Sequence, residues 1–176
     1  MKAEIEQALA PIVGLPIWAA GREVDLLWLQ LGARRRLSDD GGEREVGTYT
    51  LLIACPWRLV TADRIVVGSG DLLTPADPDE EIETFDWDIA GASWLDVRLA
   101  ELTVAHESDP PVVLAVAADD LGGIRLSLTA ELVLELFPTS TPTGHVSTEF
   151  WRLVQPGTDA PSFVVGTFGT EAERES

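Results

Sequence analysis

From residue 124 to residue 136 every even position is apolar (Ile124, Leu126, Leu128, Ala130, Leu132, Leu134, Leu136), opposed mainly by Arg125, Ser127, Thr129, Glu131 and Glu135. A repeat of two places one face of a strand against a core and the other in water. The run is longer than the usual strand of about 5–6 residues, so a tight turn near Ala130 is predicted to divide it. A second alternation puts Tyr49, Leu51, Ile53, Cys55, Trp57 and Leu59 on one parity and Thr48, Thr50, Leu52, Ala54 and Arg58 on the other. Pro56 offers no ladder donor, which predicts an edge position or a bulge just before Trp57.

Shorter apolar runs predict further strands at 64–70, 111–117, 149–155 and 162–168, with an Asp/Gly turn at 117–123 and a loop at 137–148. Residues 15–19 and 24–32 flank the turn-like AAGRE as a hairpin. Helical spacing occurs twice. Over 3–10, Ile5, Ala8 and Leu9 share a face with Ile12, and Pro11 ends the helix. Over 93–104, Ser93 is a fitting N-cap, Asp96 stands in for the capping-box acid, and Leu95, Leu99 and Leu102 form a stripe. Residues 34–45 read as a polar loop, and 71–91 as a long acidic loop pinned at Phe85 and Trp87. Together these predict one α+β domain over 1–170 with a frayed tail at 171–176. Its expected form is a single curved, largely antiparallel sheet, half-barrel-like, with two helices packed on it.

Charge changes this picture most. The 176 residues carry 30 acids and 12 bases, a net −18. Residues 71–109 hold 12 of the acids and one base, Arg98. Nucleic acid is not an expected partner, because phosphate binding needs a basic stripe and the only run of bases is Arg34-Arg35-Arg36. No apolar run approaches the ~20 residues of a membrane span, and Glu4 and Glu6 sit where a secretory signal would be apolar. A cytoplasmic location is expected. Cys55 is the sole cysteine, flanked by Ala54 and Pro56, so it reads as a small buried hydrophobe rather than a reactive thiol.

Trp-Arg-Leu-Val occurs twice, at 57–60 and 151–154, with different flanks and no longer duplication. In a strand, Trp and Leu face one way and Arg and Val the other. The favoured reading is two strands that each bury an indole and turn a guanidinium toward carboxylates of the acidic middle. Arg58 and Arg152 are then expected to tether that loop through Asp71, Asp86 and Asp88 by planar two-point pairs. The competing readings are a site for a substrate carboxylate or phosphate, and an internal repeat.

The segments GTYTLLIACPWRL (47–59), IVVGSGDL (65–72), FDWD (85–88), FWRL (150–153) and SFVV (162–165) appear in this order. The pattern, over roughly residues 15–165, resembles a group of bacterial proteins of unknown function. That resemblance implies no activity, cofactor or catalytic residue.

Catalytic patterns mostly fail. His106 and His145 lie in no helical metal-binding pair, GSG at 68–70 is not a nucleophile elbow, and the double glycines lack phosphate-loop spacing. Lys2 is the only lysine, which argues against Schiff-base chemistry. A calcium loop begun at Asp77 would place Ile82 where glycine is needed and Asp88 where glutamate is usual. No metal and no cofactor are expected. Asp86 with Asp88 stays open as a general acid–base pair. Trp28, Trp57 and Trp151 are expected in the core, while Trp18, Trp87 and Trp94 are placed to line a groove.

The expected function is that of a non-enzymatic binding protein. Asp77, Asp79, Glu80, Glu81 and Glu83 would meet a basic protein partner, as in an immunity-type protein that neutralises a cationic toxin. The alternative is a small-molecule-binding protein or hydrolase with an Arg/Asp pocket between sheet and acidic loop. A third reading takes the acidity as adaptation to salt.

Overall fold

The structure, a computed structural model, describes residues 1–39 and 42–173. It is α+β and mostly antiparallel. Helix α1 (Lys2–Leu9) runs into a short 3-10 turn (Ala10–Ile12) at Pro11, and Ile5, Leu9 and Ile12 are fully buried. The strands are β1 (Ile17–Glu23), β2 (Leu26–Leu31), β3 (Arg35–Asp39), β4 (Gly42–Val46), β5 (Tyr49–Ile53), β6 (Trp57–Val60) and β7 (Ile65–Gly68). After helix α2 (Trp94–Ala105) come β8 (Val113–Ala118), β9 (Ile124–Leu128), β10 (Val133–Leu136), β11 (Glu149–Val154), β12 (Ser162–Gly166) and β13 (Gly169–Glu173). No described helix is long and apolar enough to cross a membrane.

The strands divide between two larger sheets instead of forming one. The first has the order β1-β2-β5-β11-β12-β13 and the second β7-β6-β10-β9-β8, with β3-β4 a separate hairpin. No barrel closes. The two sheets share one apolar core, to which both contribute buried side chains. They meet at a seam where Ile17 N–H donates to Pro111 O at 2.7 Å and Gly14 N–H to Val113 O at 2.8 Å.

The alternation over 49–59 conceals the change of sheet. β5 belongs to the first and β6 to the second, and the chain crosses at Ala54-Cys55-Pro56. There the Ala54 and Cys55 N–H groups both donate to Phe150 O, and Pro56 O accepts from Phe137 N–H. Pro56 thus marks a crossing between sheets, where a residue without an N–H has no ladder bond to lose. Cys55 is 7% exposed and burial pushes its thiol up to about 11, which keeps it protonated and inert.

The predicted division of 124–136 is present as a tight turn. Ala130 and Glu131 have φ of 58° and 57°, the geometry of a two-residue hairpin turn of the primed kind. Three other expectations are corrected. AAGRE is strand, and the turn falls at Val24-Asp25. The described part of 34–45 is mostly β-hairpin, with Arg36 opposite Glu45 and Leu37 opposite Arg44. The tail expected at 171–176 is strand as far as Glu173, paired to β12, and 174–176 lie outside the described residues.

Pairing registers set which side chains share a face. One row across the first sheet reads Ala20, Leu29, Leu51, Leu153, Phe163 and faces the core, as does Arg22, Leu27, Ile53, Trp151, Val165. The opposite face carries Gly21, Trp28, Leu52, Arg152 and Val164. A guanidinium in a core-facing row at a sheet edge is expensive unless fully paired, and Arg22 is where the acidic loop is held.

Candidate functional site

The acidic segment leaves the core at Leu72 and returns at Ser93. Its neck is closed by backbone bonds: Ala76 N–H donates to Ala92 O at 2.7 Å, Trp94 N–H to Thr74 O at 2.7 Å, and Pro75 bridges Ser93. Ser93 caps α2, its hydroxyl accepting from Asp96 N–H at 3.2 Å. The loop between is built from short local turns. Asp77 Oδ1 accepts from Asp79 N–H at 2.9 Å, and Asp86 Oδ1 from Asp88 N–H at 3.0 Å, the side-chain turns that aspartate favours. Trp87 packs against the core, while Phe85 is half-buried.

The latch is Arg22. Its Nε donates to Asp96 Oδ1 at 2.6 Å and its terminal nitrogens to Asp96 Oδ2 at 2.8 Å, Trp87 O at 2.9 Å, Ile89 O at 3.3 Å and Val24 O at 2.8 Å. One residue of β1 thereby holds both the start of α2 and the returning arm of the loop. The Arg22 and Asp96 side chains are 8% and 15% exposed. Hydrogen bonds from Arg22, joined by Gly91 N–H, hold the Asp96 carboxyl down at about 2 against the opposing cost of burial. The same pair raises Arg22 above its ordinary value, and the charge of Asp88 adds to this.

The arginines read from the sequence do other work. Trp57 and Trp151 are buried as expected, and the Trp151 indole N–H donates to Gly122 O at 2.8 Å. The Arg58 guanidinium, however, donates to Glu135 Oε2 at 2.7 Å and lies 4.9 Å from the Phe137 ring centre. Glu135 faces it directly across β6 and β10 and also pairs with Arg125. Arg58 is within ion-pair distance of none of Asp71, Asp86 and Asp88 among the described residues. Arg152 pairs with Glu149, three residues earlier on β11 with a bulge between them. Asp71 accepts from Gly68 N–H at 2.9 Å, and Ser69 bonds the backbone of Trp57, so GSGDL is the structural 3-10 turn that leaves the end of β7, tied back to β6.

What remains at the surface is a continuous acidic display. Asp77, Asp79, Glu81, Glu83, Asp86 and Asp88 are exposed and Glu80 is half-buried. Ile82 and Ile89 stand among them, 77% and 59% exposed.

A groove of about 590 Å³ runs between β1 and α2, with Arg22, Asp88 and Asp96 in its wall. Of Arg58, Arg152, Asp71, Asp86 and Asp88, the residues expected to form an Arg/Asp pocket, only Asp88 lines it. Arg22 spends its donors on five acceptor atoms of the protein, which leaves little for a substrate anion. Trp28, expected in the core, lines this groove and another of about 500 Å³ on the far face of the first sheet, beside Trp18.

No protein-family model, curated protein or solved structure matches this chain.

Proposed function

We propose that this chain is a non-enzymatic binding protein whose acidic loop docks a basic protein partner, in the manner of an immunity protein that neutralises a cationic toxin. The observation that carries the reading is the closed neck and the Arg22 latch of loop 76–92. A loop held in one conformation before contact loses little further entropy on binding. Its exposed carboxylates, Asp77, Asp79, Glu81 and Glu83 with Glu80 beside them, favour rapid encounter with a cationic surface. Ile82 and Ile89 supply the apolar contact that charge alone lacks.

The test is affinity capture of the product of an adjacent gene, at moderate salt, by the wild-type chain and by a variant carrying Asp79→Asn, Glu80→Gln, Glu81→Gln and Glu83→Gln. A basic protein retained by the first and lost by the second, with unchanged melting of both, supports the reading. Equal retention by both variants rejects it.

A further inference from the structure

Where α2 crosses the edge of the first sheet, the core-facing row begins with a methyl group, Ala20, before Leu29. The space it leaves is a cavity of about 90 Å³. Ala20 and Leu29 wall it on one side, Trp57 and Leu134 on the other, and Leu99 and Leu102 of α2 close the third. Thr103, exposed, and His106, half-buried at the end of α2, also line it, so the cavity reaches the surface there.

Voids of this size are rare in a close-packed interior. Water is a poor occupant, because a buried molecule needs two to four polar partners and, apart from Thr103, His106 and the Trp18 indole, whose buried N–H has no partner among the described residues, the lining is aliphatic and aromatic. An engineered apolar cavity of about 150 Å³ takes benzene. A smaller one suits a slimmer body, a straight chain of roughly three to five carbons. The surroundings of the mouth disfavour an anion: Glu107 is exposed beside His106, Glu101 one turn back is paired to Arg98, and the molecule carries a net charge of −18.

We propose that this cavity is a binding site for the alkyl chain of a small amphiphile with a neutral or cationic head, entering beside Thr103 and His106. The site is independent of the acidic loop, so each proposal stands or falls alone.

The test titrates the intact protein with 1-pentanol, pentylammonium and pentanoate, followed by thermal shift and by NMR. The first two should bind saturably and move the resonances of Ala20, Thr103 and His106, with pentanoate weaker by about tenfold or more. Thr103→Trp, at an exposed helical position, should weaken pentanol binding by at least about tenfold. Leu102→Ala enlarges the cavity and should move the optimum to a longer alkanol. The proposal is overturned by absent saturation, by resonance changes elsewhere, or by pentanoate binding as well as pentanol. It also fails if a folded Thr103→Trp binds pentanol unchanged, or, should that variant not fold, if Leu102→Ala leaves the chain-length optimum where it was.

Discussion

Arg22 and Asp96 form a two-point ion pair, with Nε to Oδ1 at 2.6 Å and a terminal nitrogen to Oδ2 at 2.8 Å, joining the edge of a sheet to the first turn of a helix. Both side chains are mostly withdrawn from water, so removing one partner strands the other charge. Arg22→Met should cost about 3 kcal/mol in chemical denaturation, at the lower end of the range for broken buried pairs. The pair also predicts a pH dependence. Asp96 sits at about 2 when folded and near ~3.9 when unfolded, so the folded chain holds its negative form more tightly. Its contribution, about 2–3 kcal/mol, is complete above roughly pH 5 and lost as the pH falls toward 2. Asp96→Asn should flatten that part of the stability–pH curve, and an unchanged slope would remove the pair from this role.

Limited proteolysis separates the observed latch from the expected one. Releasing Arg22 frees Trp87 O and Ile89 O together with Asp96, so Arg22→Met should speed cleavage within 76–92. Arg58→Ala removes a 44% exposed side chain paired to Glu135, should cost no more than about 1 kcal/mol, and should leave loop cleavage at the wild-type rate. Faster cleavage in Arg58→Ala would restore the tether that the sequence predicts.

The reason the sequence pointed to the wrong arginine is physical. Periodicity reports which face a residue occupies, and it placed Trp57, Trp151 and the turn at Ala130 correctly because each depends on local alternation. Arg22 lies in AAGRE, whose small and polar residues read as a turn, and its partner is 74 positions away. Asp96 was visible as a capping-position acid, yet its carboxylate turns to Arg22 and Gly91 N–H while its own N–H meets Ser93. The hairpin of β3 and β4 was hidden for a related cause: Arg36, Ser38, Glu43, Arg44 and Glu45 are exposed, so no apolar alternation marks it. Pro56 announced an interruption without saying that the chain changes sheets there. Parity is preserved across a crossing that turns between two faces of one core. The exposure of the acidic residues is legible from composition, whereas their fixed arrangement depends on contacts no local pattern contains.

Gly47 and Gly70 offer a paired test of the packing. A Cβ at Gly47 would fall 2.4 Å from Leu31 O, 2.7 Å from Leu31 N and 2.7 Å from Tyr49 O. All three are backbone atoms of strands β2 and β5, so relief requires the sheet itself to move. Gly47 N–H also donates to Gln30 Oε1 at 2.7 Å, binding the corner tightly. Gly47→Ala should therefore cost about 2–3 kcal/mol, in the range of overpacked cores. A Cβ at Gly70 meets nothing within 4 Å, and Gly70→Ala should stay within about 0.5 kcal/mol of wild type. Similar melting of the two variants would contradict the close approach at Gly47.

The turn at Ala130-Glu131 predicts a gain in stability. Both residues hold positive φ, 58° and 57°, in the left-handed region where a Cβ is strained. Both are exposed, so substitution there disturbs no packing. Asparagine tolerates this conformation and glycine adopts it freely, which is why Asn-Gly is the preferred pair for such hairpins. The flanking bonds, Leu132 N–H to Thr129 O at 3.4 Å and Leu128 N–H to Leu132 O at 2.8 Å, are made by backbone that both replacements keep. Ala130→Asn with Glu131→Gly should raise stability by about 1 kcal/mol, the sum of two relieved residues less the added freedom of glycine in the unfolded chain. Removing the Glu131 charge also takes the net from −18 to −17, so the melt is best measured at high salt, where that term is screened. A loss of stability there would show that the strands meet at residue 130 in another way.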